Sequence, residues 1–161
     1  MIFNNPIQCK IGKLGIMVNA LTASQLSLAT IGAINRLLAK RSDVSPTLFF
    51  EMATPTCLPL PCAAMSSPEI WGFSGPIIAT SLSTADKLRH PISPKQKFFY
   101  VWDLEWLRYQ PDFWRLRDIY ASMPIIARSK DHAKAIEDAW NVSVVYIGDM
   151  EDVFNYVLGD K

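Results

Sequence analysis

A nearly unbroken apolar run, Leu14 to Leu21, gives way at once to a stretch whose apolar residues recur at helical spacing, and this junction constrains the fold more than any other feature. A strand that is apolar on both sides, interrupted only by Asn19, needs cover on both faces, which is the situation of a central parallel strand. Thr22 and Gln25 then have capping-box spacing, and Leu28, Ile31, Ile34, Leu37 and Leu38 recur on one helical face up to the basic Lys40-Arg41. A doubly buried strand leading straight into an amphipathic helix is the opening of a βαβ unit.

The alternation continues along the chain. Val44 to Glu51 reads as a second strand centred on Leu48, Phe49 and Phe50. Met52 to Phe73 carries Pro55, Pro59, Pro61 and Pro68, which remove amide donors, and predicts a long connection with a short helix over Cys62 to Ser66. After Gly75-Pro76, Ile77 to Ser81 is a third strand, Ser83 caps a short helix through Ala85 and Leu88, and Lys97 to Trp102 is a fourth, aromatic strand. The segment from Leu104 to Tyr120 sets Trp106, Tyr109, Phe113 and Trp114 among Arg108, Arg115 and Arg117 and is predicted to turn helical after Pro111. Pro124 to Ala127 forms a fifth strand, Ser129 caps a helix whose inner face is Ala133, Ile136 and Trp140, Val142 to Ile147 is a sixth strand, and Glu151 to Leu158 is a closing helix. The expected architecture is α/β: one Rossmann-like domain over residues 1–161, a doubly wound, mainly parallel sheet of about six strands with right-handed crossovers.

Composition agrees. Half of the residues are hydrophobic and 19% are charged, which suits a sheet covered on both faces and excludes intrinsic disorder. Sixteen basic and 15 acidic residues leave a formal net charge of +1, so no overall field draws in a polyanion and a nucleic-acid acceptor would need local contacts. Cys9, Cys57 and Cys62 form no C-x-x-C pair, and His90 lies far from His132, which predicts a reduced, cytoplasmic chain without structural zinc. Met1 to Lys13 lacks the layout of a signal peptide, and no run reaches the roughly 20 apolar residues of a membrane span, so no membrane partner is expected.

Ligands of open α/β sheets sit beyond the carboxyl ends of the strands, which directs attention to Asn19, Glu51, Thr80, Ser81, Asp103, Glu105, Arg128, Ser129, Gly148 and Asp149. The same residue types cap helices and turn chains, so only their convergence marks a site. The sharpest local feature is Phe98-Phe99-Tyr100-Val101-Trp102-Asp103-Leu104-Glu105-Trp106. In extended backbone Asp103 and Glu105 point the same way and can act as a general base and its partner, or hold a divalent cation through oxygen. Equally, Asp103 can cap a turn while Glu105 pairs with Arg108. Trp102 and Trp106 either stack on a sugar or base, or belong to the core. Classical dinucleotide binding is not supported: the turn Asn19 to Ser24 contains no G-x-G-x-x-G, and Gly12 and Gly15 fall before the first strand. His132, in the first turn after Ser129, reads as a surface residue of a helix start.

The segments Gly75 to Ser81, the aromatic strand ending in Trp102-Asp103, Ile125-Ile126-Ala127-Arg128-Ser129 with Asp131-His132-Ala133-Lys134, and Val144-Val145-Tyr146 together resemble the N-terminal half of two-domain glycosyltransferases with paired Rossmann-like domains, notably the DNA glucosyltransferases of tailed phages. The resemblance implies a glycosyltransferase-like domain that transfers or binds a nucleotide-activated sugar as substrate, with no resident cofactor. It implies Asp103 as the base that deprotonates the acceptor, Glu105 orienting it or a metal, Arg128 near phosphate, and Asn19, Thr80, Ser81, Trp102, Trp106 and Ser129 around the substrate. In that family the second domain grips most of the donor nucleotide, so a chain ending at Lys161 implies a homodimer or a partner chain, or lost catalysis. The competing expectation is a non-catalytic interaction or assembly module, of phage type, that docks through the aromatic segment Trp106 to Trp114.

Overall fold

The computed structural model describes residues 12–54, 59–108 and 113–159. Expectations placed on Cys9, Cys57, Pro55, Tyr109, Pro111 and the opening stretch before Gly12 lie outside the described residues. Among these residues seven strands form one sheet: β1 (Gly12–Leu21), β2 (Val44–Ala53), β3 (Ala63–Ser66), β4 (Ile77–Ala79), β5 (Lys97–Val101), β6 (Ile125–Ala127) and β7 (Val144–Ile147). Their order across the sheet is β3-β2-β1-β4-β5-β6-β7, and every neighbouring pair is parallel. The helices are α1 (Gln25–Lys40), α2 (Leu82–Leu88), α3 (Phe113–Ala121), α4 (Lys130–Trp140) and α5 (Met150–Leu158), with 3-10 turns at Ser67–Gly72 and Glu105–Leu107.

Alternation of side chains across each strand sorts the apolar residues into two cores. Met17, Phe49, Ile77, Ala79, Phe99 and Val101 face α2, α3 and α4. Leu14, Ile16, Val18, Leu48, Ile78 and Tyr100 face α1 and α5. This is the doubly wound sheet expected from the sequence. From β1 the chain moves outward to β3, then returns to β4 on the other side of β1 and moves outward again to β7. Connections of one hand must change face when the direction of travel reverses, so α1 covers one face and α2, α3 and α4 the other. The reversal places a crevice between the carboxyl ends of β1 and β4, the preferred position for a ligand.

Several expectations are corrected. Among the described residues the sheet has seven strands where about six were expected, because Ala63–Ser66 is a strand and not the short helix expected there: it pairs with Thr47 to Phe50, and that long-range pairing outweighs the helical preference of alanine. Pro68 falls in the first turn of the following 3-10 segment, where its missing N–H costs nothing. Helix α1 is capped by Ser24, not Thr22, and the inward face is built on Ser27, Ile31, Ile34 and Leu37, leaving Leu28 exposed. Ser81, not Ser83, caps α2, since β4 ends at Ala79. Gly12 and Gly15 lie inside β1 rather than before it. A Cβ on Gly15 would stand 2.9 Å from the Phe73 ring and the Ile77 side chain, so the bare backbone lets Phe73 cross the strand. Finally, β5 stops at Val101, so Asp103 and Glu105 are not in extended backbone.

Candidate functional site at the carboxyl edge of the sheet

The first group of polar residues assembles at the β1–β4 crevice. Asn19, near the end of β1, accepts through Oδ1 a 2.7 Å hydrogen bond from Ser81 Oγ. The Thr80 hydroxyl donates to the Met17 carbonyl at 2.8 Å, which fastens the end of β4 to β1. Ser81 and Thr84 complete a capping box around the first turn of α2. Thr80 and Ser81 are buried, so they form the floor of the crevice. At its rim, Glu51 Oε1 accepts from Ser83 Oγ and pairs with Lys87 Nζ at 2.9 Å.

Glu105 closes this crevice from the other side. It opens the short 3-10 turn after β5, and its Oε1 accepts the Leu82 backbone N–H at 2.9 Å. The neighbouring Trp106 is inserted edge-on against Tyr120 and Trp140, at 5.5 and 5.7 Å between ring centres, and this anchor draws Glu105 inward. Burial raises the Glu105 pKa above the ordinary glutamate value, and the Asp103 charge adds to the rise, against the opposing Leu82 N–H and Arg108. Asp103 turns away to an ion pair with Arg108 at 2.7 Å. The two carboxylates are therefore neighbours with different partners. Among the described residues no group of three or more His, Cys, Asp or Glu side chains gathers in a way that could hold a metal ion.

The second group lies on the α1/α5 side of the same edge. Tyr100, Trp102, Arg128, Arg36, Asp149 and Met150 line a polar cavity of about 240 Å³. The Arg128 guanidinium lies 4.0 Å above the centre of the Trp102 ring and donates to the Trp102 carbonyl at 3.1 Å. The Tyr100 hydroxyl donates to the Gly148 carbonyl at 3.2 Å, and burial pushes its pKa up to about 12, against the lowering influence of Arg128. Asp149 caps α5 through Glu151 N and Asp152 N, and Arg36 pairs with Glu151 at 2.7 Å.

Of the residues proposed from sequence, the structure thus brings Asn19, Thr80, Ser81 and Glu105 together on the α2 side, and Trp102 with Arg128 on the α1/α5 side, with Asp103 on the connecting turn. Ser129 joins neither group: it caps α4 by accepting from His132 N. Trp106 is held in the aromatic core, so it is not placed to stack on a substrate. Sequence reasoning missed Arg36, Tyr100 and Lys87. Tyr100 alone carried a signal, as a hydroxyl near the end of an otherwise apolar strand. No helix among the described residues is long and apolar enough to cross a membrane. No protein-family model, curated protein or solved structure matches the chain.

Proposed function

We propose that the chain is a glycosyltransferase-like domain that binds a nucleotide-activated sugar across the carboxyl edge of its sheet. The observation that carries this reading is the half-buried Glu105, a carboxylate with a raised pKa at the topological switch point. On this reading the donor diphosphate lies toward Arg128 and Arg36, and the sugar and the acceptor hydroxyl lie toward Asn19 and Glu105. Glu105 takes the acceptor proton as the acceptor oxygen attacks the anomeric carbon. The bond to the leaving diphosphate breaks, and the arginines stabilise the charge that develops on it. Asp103, neutralised by Arg108, holds the loop that carries Glu105.

A thermal-shift screen of the folded chain against UDP- and GDP-sugars tests the proposal, because a ligand that binds only the native state raises the melting temperature by linkage. The expected result is a saturable rise with one donor class, with affinity about tenfold weaker in Arg128→Ala, or roughly 1.4 kcal/mol. No rise with any donor would overturn it. A second reading, an assembly module, is favoured by one observation: Leu107, Phe113 and Trp114 are 71%, 55% and 67% exposed beside the Trp106 anchor. A complex lost in Leu107→Asp and Phe113→Asp but intact in Glu105→Gln would support that module.

A further inference from the structure

On the α2 side of the sheet, next to the Asn19–Glu105 crevice, a groove of about 400 Å³ runs between the 3-10 segment Ser67–Gly72 and the end of α2. Its floor is Met17, a residue of β1. One wall is Pro68, Ile70 and Trp71, and the other is Lys87, His90 and Pro91. The groove is a built feature. Ile70 is buried in the core and fixes the 3-10 segment, while Trp71 on the same turn stays 57% exposed, with its indole available to a ligand. Ser93, just beyond Pro91, donates to the Trp71 carbonyl at 2.6 Å and to the Ile70 carbonyl at 3.3 Å. These bonds tie the two walls together, so little ordering remains to oppose binding.

The lining combines flat apolar surface from Trp71 and the prolines with an ammonium and an imidazole, those of Lys87 and His90. Lys87 Nζ already holds Glu51 at 2.9 Å, yet an ammonium has three N–H donors, which leaves donors for a second anion. We propose that this groove binds a small aromatic acid, its ring against Trp71 and its carboxylate at Lys87 and His90. The volume suits a compound of one or two rings and falls near the lower end of small-molecule sites, too small for a stretch of polynucleotide. The link Lys87–Glu51–Ser83 leads from the groove to the start of α2, where Leu82 N meets Glu105. Binding in the groove does not depend on the nucleotide-sugar reading.

The test is calorimetric titration of the full chain with 2-naphthoate and, separately, with the uncharged 2-naphthalenemethanol, both without nucleotide-sugar. The expected result is saturable one-to-one binding of naphthoate, at least tenfold weaker in Trp71→Ala, about fivefold weaker in Lys87→Met, and unchanged in Arg128→Ala. Both groove positions are exposed, and unchanged melting temperatures would show that the variants fold. No saturable binding, or binding that Trp71→Ala leaves intact, would overturn the site. Equal affinity for the uncharged analogue would overturn the acid as its ligand, and concentration-dependent dimerisation blocked by Trp71→Ala would assign the groove to a second copy of the chain. Because Arg128→Ala separates donor binding from naphthoate binding, failure of the groove and failure of the donor site give different results.

Discussion

Glu105 gives the account its sharpest prediction at the level of a single residue. A carboxylate whose folded pKa is raised binds more protons in the native than in the unfolded state between the two pKa values. Its contribution to stability is therefore fully present below the unfolded value and is lost as pH rises through the folded pKa. Glu105→Gln removes this penalty while keeping an oxygen to accept the Leu82 N–H. The variant is expected to melt about 2 °C higher than the parent chain at pH 7, and to show a flatter dependence of stability on pH above the ordinary glutamate range. Thermal melts from pH 4 to 8 check this. A variant less stable than the parent at pH 7 would mean that the charge at residue 105 serves structure rather than chemistry. Arg128 makes the contrasting case: it lies on the surface of Trp102, so its removal should change ligand affinity far more than stability.

At the level of elements, helix starts do double duty. Ser81 caps α2 and also holds Asn19 across the switch point, so the same hydroxyl stabilises the helix and shapes the crevice. Ser81→Ala is expected to cost about 1–2 kcal/mol in urea unfolding, at the upper end for a cap because a buried network is broken. Ser129→Ala, at an exposed cap without such ties, should cost about 0.5–1 kcal/mol. Equal losses at both sites would contradict the added role of Ser81. The elements that sequence reading identified well were those with strong periodicity: strand β1 and helix α1 as elements, though not the cap between them, and α4 with Ala133, Ile136 and Trp140 inward. The one it missed, β3, is an exposed edge strand of Ala-Ala-Met-Ser, with no branched or aromatic residue to signal it. Only the open edge of β2 makes it a strand. The candidate site followed the same logic. The end-of-strand residues included Asn19, Ser81, Glu105 and Arg128, but which face each would serve depended on where β4 and β5 stop, and both end earlier than the ranges read from the sequence.

For the whole molecule, the strand order decides where chemistry can occur. A single parallel sheet with helices on both faces leaves its carboxyl edge as the place where loops from β1, β4, β5, β6 and β7 meet. The last helix, α5, is integral to this arrangement, since Phe154 and Val153 are fully buried against the α1 side of the sheet and Asp149 caps the helix beside Arg128. Phe154→Ala is expected to destabilise the chain by about 3–5 kcal/mol and to weaken donor binding with it. Binding of a nucleotide-sugar across the carboxyl edge is checked by mapping amide chemical shifts of the labelled chain during titration with the donor that raises its melting temperature. Saturable shifts are expected at Asn19, Leu82, Glu105, Trp102 and Arg128, with Lys13, Gly75 and Lys95 at the opposite end of the sheet unmoved. Shifts confined to that opposite end, or none at saturating donor, would contradict it.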